Sequence, residues 1–420
     1  MVVGAGAAGI MAAIHAGGGP RPVLLLERTT DGGRKILISG GGRCNVLPSR
    51  LDPGDFVTDS SPHTLRKMLL SWPLQEQIAF FQDDLGIPLV LEEETGKLFP
   101  AANRAREVRD RLLEEARKRG VEIRFGARVA TAEPTGEGEG VPEHGSVAPW
   151  TVRLEGPLPP IPAAAVVIAT GGLSVPATGS DGTGLAVAAA TGHQVNPTYP
   201  ALTPLTLDPP VHAPLAGVSL PVVLTSPEPG RRGRDFRTAG GFLFTHRGYS
   251  GPTVLNASHL AVRSRMAGGP FRQLRVCWTP REGPAWDREL REGAGTVVGR
   301  LRPHLPGRLA DRLMEEAGVP ADRAVARLTR DERVRVVEAL TAYPLPWTGD
   351  EGYRKAEVTG GGVALGEVDP GTLESRRHPG LFFCGEVLDA FGPIGGYNFA
   401  WAWATGRAAG RGAAGTGTEG

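Results

Sequence analysis

Three cysteines in 420 residues, Cys44, Cys277 and Cys384, are too few and too far apart for a disulfide framework or a metal-ligand cluster. Their scarcity suits a reducing, cytoplasmic setting. Neither sign of charge is in excess: 46 Lys and Arg face 45 Asp and Glu, a formal net charge of +1. That balance speaks against a broad electrostatic footprint for nucleic acid or anionic membrane. No apolar run approaches the roughly 20 residues needed to span a bilayer. The N-terminus has no basic region leading into an apolar one, so no signal peptide is expected.

Glycine and proline, by contrast, are plentiful at 60 and 37 residues. They are spread along the chain rather than gathered in repeats, as in a loop-rich globular enzyme. The length suggests two or three domains. Two segments read as unstructured: the polar, glycine-rich residues 134–149 and the tail after Arg411.

Met1, Val2 and Val3 lead into Gly4-Ala5-Gly6-Ala7-Ala8-Gly9. Ile10, Ala13 and Ile14 continue at helical spacing until Gly17-Gly18-Gly19-Pro20 stops the helix. Residues 22–27 (PVLLLE) are apolar and end in an acid, the pattern of a buried parallel strand. Together these make a βαβ unit, with a first strand shorter than the usual five or six residues or so. Helical spacing returns over 65–85, broken at Pro73, and over 107–119, where Val108, Leu112 and Leu113 face inward. Strand-like runs follow at 121–125, 128–132, 150–154 and 164–170.

After about Asn196 the texture changes to short β-like runs between prolines, at 218–225, 242–245 and 274–278. A charged, helical stretch covers 300–341. Residues 381–384 (LFFC) run into Gly385-Glu386, and Gly395-Gly396 opens a last helix through Trp403. The expected fold is α/β, a Rossmann-type domain assembled from both chain ends, 1–195 and 354–411. It carries an inserted β-rich, β-barrel-like substrate domain (196–299 and 342–353) and a small helical subdomain (300–341). A flexible tail, 412–420, closes the chain.

Gly4, Gly6 and Gly9 follow a strand and open a helix, and Glu27 ends the next strand. The first glycine permits a tight turn, the second admits a pyrophosphate against the backbone, and the third lets helix and strand pack closely. The helix N-terminus, through Ala7 and Ala8, offers free N–H groups to phosphate. Glu27, beside Arg28, suits the hydroxyls of an unphosphorylated ribose, as in FAD or NAD. In the loop that follows, Arg34, Lys35 and Arg43 flank Ser39, Gly40 and Gly42, and Cys44 and Asn45 close it. Such a loop wraps dinucleotide with backbone N–H groups and basic side chains, unless it is simply a solvated basic loop. Cys44 has no nearby second cysteine, so packing explains it better than redox chemistry.

Ala169, Thr170, Gly171 and Gly172 end another strand, where small residues let a cofactor lie against bare backbone. Asp181 is placed to cap a helix beginning near Thr183. In the C-terminal stretch, Gly385 precedes Glu386, and Glu386 or Asp389 suits ribityl hydroxyls. Gly395, Gly396, Tyr397 and Asn398 would present N–H groups to the flavin pyrimidine edge, where negative charge collects on reduction. As partner to an N-terminal βαβ unit this favours a flavin over a nicotinamide. Val129, in the run 128–132, completes the candidate cofactor contacts. His246, Arg247, Tyr249, Tyr397 and Asn398 are pocket candidates for which packing is a sufficient explanation.

The blocks GAGAAG, LLERTTDGGRKILISGGGRCNV, ATGGLSVPATGSDGTG, PALTPLTL, GFLFTHRGYSGPTVLNAS, AEVTGGGV and GLFFCGEVLDAFGPIGGYNFAWAWATG resemble, in order and over nearly the whole chain, the BaiN-like or aminoacetone-oxidase-like family of bacterial FAD-dependent flavoproteins. The resemblance implies a FAD domain, an inserted β-barrel-like domain and a small helical subdomain. It also implies kinship with fumarate-reductase-type flavoproteins, without their dicarboxylate-binding His and Arg pattern. The expected function is FAD-dependent oxidoreduction through flavin N5, as NAD(P)H-driven reduction of a conjugated C=C bond in a small organic substrate. Two alternatives stay open: oxidation of a small amine by oxygen, and flavin-dependent modification of nucleic acid, for which Arg231, Arg232 and Arg234 offer phosphate contacts. A dithiol oxidoreductase is excluded, since it needs a paired cysteine motif and a second nucleotide fingerprint. A non-enzymatic flavin sensor would show no NAD(P)H turnover. The expected partners are FAD, NADH or NADPH as a transient reductant, and a small-molecule substrate, with no metal and no membrane, and with nucleic acid disfavoured by the balanced charge.

Overall fold

The computed structural model describes residues 1–135, 149–227, 235–266, 268 and 272–415. The chain divides into two units, residues 1–199 with 358–420, and residues 200–357. Both junctions fall four residues later than expected from the sequence. The prolines after Asn196 signal the change of texture early, because the strand Val195–Ala201 runs on through Pro197 and Pro200 to pair with Val358–Val363.

The first unit is built on a five-stranded sheet in the order Leu381–Phe383, Val166–Ile168, Val2–Val3, Val23–Glu27, Val121–Phe125. Every neighbouring pair is parallel. Parallel strands are covered on both faces, which is why these runs are apolar without alternation. The last strand to be synthesised, Leu381–Phe383, completes the edge beside Val166–Ile168 and so joins the two chain ends in one sheet. The first helix, Ala7–Ala16, follows the first strand directly, and the last helix, Tyr397–Ala414, packs along it. That last helix overruns the expected tail boundary by three residues. Gly412 there permits close packing rather than freedom, since a Cβ would come 2.7 Å from the Thr372 carbonyl oxygen. The glycine-rich segment 136–148 and residues 416–420 lie outside the described residues.

The second unit holds a seven-stranded sheet in the order Tyr343–Leu345, Leu274–Cys277, Ser219–Ser226, Phe236–Phe244, Gly248–Ser250, Leu205–Thr206, Gly349–Asp350. Its two edge strands are consecutive in the chain, with only Pro346, Trp347 and Thr348 between them. Seven flat strands would hold those edges about 29 Å apart at roughly 4.8 Å per strand. Three linking residues reach about half that distance. The sheet must therefore curl until its edges approach, which gives the expected barrel-like form without edge-to-edge pairing. Phe242, Phe244, Tyr249 and Trp278 fill the interior, with the rings of Phe244 and Trp278 stacked at 5.6 Å.

Helices cover residues 283–341, beginning 17 residues before the expected subdomain. Proline is at home in the first turn of a helix, and Gly283–Glu292 starts with Gly283-Pro284. The helix Arg330–Thr341 opens on a capping box between Thr329 and Glu332.

Candidate functional site

Gly4 takes a positive φ of 98°, and a Cβ on it would meet the Ala169 carbonyl oxygen at 2.6 Å. A Cβ on Gly9 would stand 1.8 Å from the Gly4 carbonyl oxygen. These two glycines are therefore fixed by close packing between helix and strand ends. Gly6 differs: a Cβ there would meet nothing within 4 Å. It faces open space, and no side chain caps the helix that begins at Ala7. A small, uncapped, backbone-lined hollow of this kind fits a phosphate group.

Glu27 is buried and accepts from Ala5 N–H at 2.7 Å, Thr29 N–H at 2.7 Å and the Thr29 hydroxyl at 2.8 Å. A carboxylate has about four acceptor positions, so one is left for a ribose hydroxyl. Arg28 reaches over to the Asp181 carboxylate and the Gly179 carbonyl. Asp181 caps as expected, accepting from Thr183 N–H and hydroxyl. Burial pushes its carboxyl up, but the Thr183 bonds and Arg28 outweigh it and hold the group below the ordinary range. Val129 is buried at the start of the strand Val129–Pro134, two residues beyond Ala127, whose N–H donates to the Glu27 carbonyl.

Gly33 N–H donates to the Ala5 carbonyl at 2.7 Å and brings the basic loop against the first glycine turn. Its side chains meet acids. Arg34 pairs with Asp31, Lys35 with Glu386 at 2.6 Å, and Arg43 with Glu92 while lying over the Phe99 ring. Lys35 also donates to the Ser174 hydroxyl, and Ser174 and Thr359 N–H donate to the second Glu386 oxygen. The Thr359 hydroxyl in turn accepts from the N–H groups of Leu173 and Ser174. Gly172 packs against Thr359 and Glu386, and Gly385 against Ala8. The structure thus gathers residues 33–35, 171–174, 359 and 385–386 around the start of the first helix. Gly184 N–H donates to Thr170, which follows Ala169 at the strand end.

Ser39 donates to the Ile36 carbonyl and accepts Cys44 N–H on its own carbonyl, while Gly40 and Gly42 hold positive φ and Gly40 packs near Asn45. Cys44 is fully buried, and burial pushes its thiol up to about 12, so it packs rather than reacts. Asp389, expected to meet ribityl hydroxyls, bonds its own unit through one carboxylate oxygen, Oδ2. Its carboxylate accepts from Thr58, Asp59 N–H, Ser60 and Asn196. Burial raises its pKa, partly offset by the Ser60 and Asn196 bonds. Asn398 likewise pins its own loop, bonding Gly392 N–H and carbonyl. In the second unit Tyr249 is buried against His212, and Arg247 reaches Glu351 while His246 is exposed. Arg231, Arg232 and Arg234 lie outside the described residues.

The last helix completes the site. A Cβ on Gly406 would stand 2.4 Å from the Ala8 carbonyl oxygen, and one on Gly410 would stand 2.3 Å from that of Ala12. The matching four-residue steps mean that the two helices run parallel. The last helix begins nine residues before Gly406, the first only one residue before Ala8. Its N-terminus therefore projects eight residues, about 12 Å, further along the same direction. It too lacks a side-chain cap. Gly395 and Gly396 approach it beside Lys97 and Leu47, and Tyr397 begins it. Trp401 and Trp403 anchor it by donating to the carbonyls of Gly385 and Val46.

Two uncapped, positively poised helix ends staggered on one side of a parallel sheet suit a dinucleotide with two electron-rich parts. The model of the HI0933-like protein Rossmann domain matches residues 1–412. The chain belongs to the HI0933-like family. It is an FAD-dependent oxidoreductase of Rossmann type. It is 35% identical over 415 residues to the ribosomal RNA dihydrouridine synthase of Escherichia coli, covering 96% of this chain and 95% of that one. It is 30% identical over 426 residues to the 3-dehydro-bile acid delta(4,6)-reductase of Clostridium scindens, covering 98% of each. The 3-ketosteroid delta1-dehydrogenase of Sterolibacterium denitrificans shares the fold, with a TM-score of 0.51, 13% identity, and coverage of 99% of this chain and 98% of that one. Among the described residues no helix is long and apolar enough to cross a membrane.

The bonds of Ser174 and Thr359 to Glu386, and of Thr58, Ser60 and Asn196 to Asp389, were not legible in the sequence. Thr359 carried a signal: a hydroxyl in a strand buried at every position must find a hydrogen-bond partner.

Proposed function

We propose that this chain uses FAD to reduce a carbon–carbon double bond conjugated to a carbonyl, with NADH or NADPH as a transient reductant. The observation that carries the reaction class is the agreement of two relatives, each matched over at least 96% of this chain. Dihydrouridine differs from uridine by a saturated C=C bond next to a ring carbonyl, and a delta(4,6)-reductase saturates bonds conjugated to a 3-oxo group.

FAD, when bound, carries hydride between donor and acceptor through its N5. The chain's own residues supply the rest. Gly6 and the Ala7–Gly9 N–H groups would cradle the pyrophosphate, and Glu27 would accept from the ribose. Lys35 and Glu386, paired with each other and with Ser174, would border the ribityl chain. The uncapped Tyr397–Asn398 helix end would set partial positive charge at the flavin pyrimidine edge, where negative charge collects on reduction. Val129, Ala169–Gly172, the 39–45 loop, Asp389 and Gly395–Gly396 would line the rest of the nucleotide. Only one complete strand–glycine–helix fingerprint is present, at Gly4–Gly9, so a nicotinamide and the acceptor share one approach to the flavin and must take turns.

The test is anaerobic stopped-flow. NADH or NADPH should bleach the flavin, an enone should restore its colour, and double-reciprocal plots should be parallel. Intersecting lines would end the shared-approach argument. Bleaching only by small amines, with return of colour on oxygen, would replace the reductase with an oxidase. A second reading places the double bond in a uracil of ribosomal RNA, and the relatives at 35% and 31% identity favour it. Mass loss or gain of two hydrogens on RNA versus enone separates the two.

A further inference from the structure

The overall charge of +1 conceals an uneven division. Residues 200–357 hold 23 Arg and Lys against 17 Asp and Glu, a net +6, and the remaining residues hold 23 against 28, a net −5. Within the second unit, residues 281–341 hold 12 basic and 11 acidic side chains. Many of these neutralise one another, as in Arg281–Glu289, Arg291–Asp287 and Arg302–Asp311. The surplus, 11 basic against 6 acidic, belongs to the sheet-bearing residues 200–280 and 342–357.

The sheet's register turns part of that surplus into a surface. Arg237 stands opposite Thr225, and Thr225 opposite Arg275, in one row across three adjacent strands. On Ser219–Ser226, alternate residues from Leu220 to Ser226 are buried, so Thr225 and both arginines point outward from the barrel core. The two arginines are exposed and two strands apart, about 10 Å. Arg275 donates only to Gln273, and no ion pair holds Arg237 among the described residues. No carboxylate occurs anywhere on these three strands.

We infer that this outward face of the second unit is a docking surface for the phosphate backbone of RNA, which deepens the RNA reading of the function given above. Unneutralised arginines on strands without a carboxylate match a polyanion, although exposed Asp235 lies two residues before Arg237. The face carries no aromatic side chain for stacking, so it positions RNA rather than reading bases. None of the exposed large apolar side chains lies on these strands, which removes the wedge that a membrane-surface site needs. The net −5 of the first unit disfavours the same polyanion there, so encounter is directed to the second unit.

The experiment is fluorescence anisotropy of a fluorescein-labelled ribosomal RNA hairpin with the full-length, FAD-loaded protein across a KCl series. Wild type should bind with affinity falling steeply as salt rises. Arg237→Gln/Arg275→Gln should bind several-fold more weakly at low salt, with the log–log salt slope smaller by about 1–2. Arg66→Gln/Lys67→Gln, an equal charge loss on an exposed helix of the first unit, should leave both unchanged. No RNA binding by wild type would overturn the inference. So would an unchanged slope in the sheet variant, an equal loss in the helix variant, or binding to phosphatidylglycerol vesicles in place of RNA. Enone turnover is measured separately. Binding without turnover would sink the reductase reading alone, and turnover without binding would sink the surface alone.

Discussion

Alanine substitution at Gly6 and Gly9 should separate a ligand hollow from a packing contact, although both glycines belong to one short turn. At Gly6 the backbone sits at φ −79° and ψ −173°, where any residue is at ease, and an added methyl meets nothing within 4 Å. Alanine there stiffens the unfolded chain, worth about 0.4–1 kcal/mol in favour of folding. It is also a poorer N-cap than glycine by about the same amount. The two effects nearly cancel, so the apoprotein Tm should move by no more than about 2–4 °C. The methyl would instead hold the pyrophosphate off the helix end. Losing one or two charge-assisted hydrogen bonds at about 1.5–3 kcal/mol each raises the FAD Kd roughly tenfold or more. At Gly9 the order reverses. The methyl would stand 1.8 Å from a backbone oxygen that cannot swing aside. Overpacking of that kind costs about 3 kcal/mol, or some 6–12 °C in Tm, before any ligand is added. Thermal unfolding of the apoproteins and quenching of flavin fluorescence on titration measure the two effects. Gly6→Ala with wild-type FAD affinity would refute the placement of the pyrophosphate.

Glu27→Ala should lower the apoprotein Tm as well as FAD affinity, because Glu27 holds Ala5 and Thr29 before any ribose arrives; Glu27→Gln should fall between the two. Gly406→Ala tests the helix crossing by sign: helix propensity alone would stabilise by up to about 1 kcal/mol, whereas the 2.4 Å approach to Ala8 predicts a lower Tm and weaker FAD retention. His15 is held near 3 by burial and by Arg407, Arg119 and Arg411, well below the 6.5 of the unfolded chain. Its contribution is therefore whole above pH 6.5 and is lost as pH falls from there toward 3. His15→Phe, packed between Trp72 and Phe80, should gain Tm over wild type progressively in that window, and parallel pH profiles would count against it.

What was legible in the sequence was what acts locally. Gly4, Gly6, Gly9 and Glu27 each do their work within one βαβ unit, so spacing alone exposes them. The parallel strands showed themselves as unalternating apolar runs. The Lys35–Glu386 pair was not legible, because its partners are 351 positions apart and nothing in either segment names the other. Nothing near Asp389 in the sequence names the four donors from residues 58–60 and Asn196 that its Oδ2 accepts. The β-runs between prolines suggest a barrel-like form, but what forces the curl is not legible in them. The curl follows from strand order joined to the three-residue link at Pro346, and strand order is a tertiary fact.

The basic residues of the nucleotide site lead to one further expectation, which runs against residue type. Arg28, Arg34, Lys35 and Arg43 each have a carboxylate partner in Asp181, Asp31, Glu386 and Glu92. Freeing any of them for a phosphate would strand an acid, most expensively at the half-buried Glu386. The anion is therefore left to backbone N–H groups at the helix start, which carry partial charge but no mobile counterion to release. FAD affinity should then change little between low and high KCl, in contrast to a site built from free arginines, where it falls steeply. Arg43→Ala should likewise leave the salt dependence of FAD binding flat. Equilibrium titration of apoprotein with FAD over a KCl series decides it. A steep fall would mean that the ion pairs open on binding and that the side chains, not the helix ends, hold the pyrophosphate.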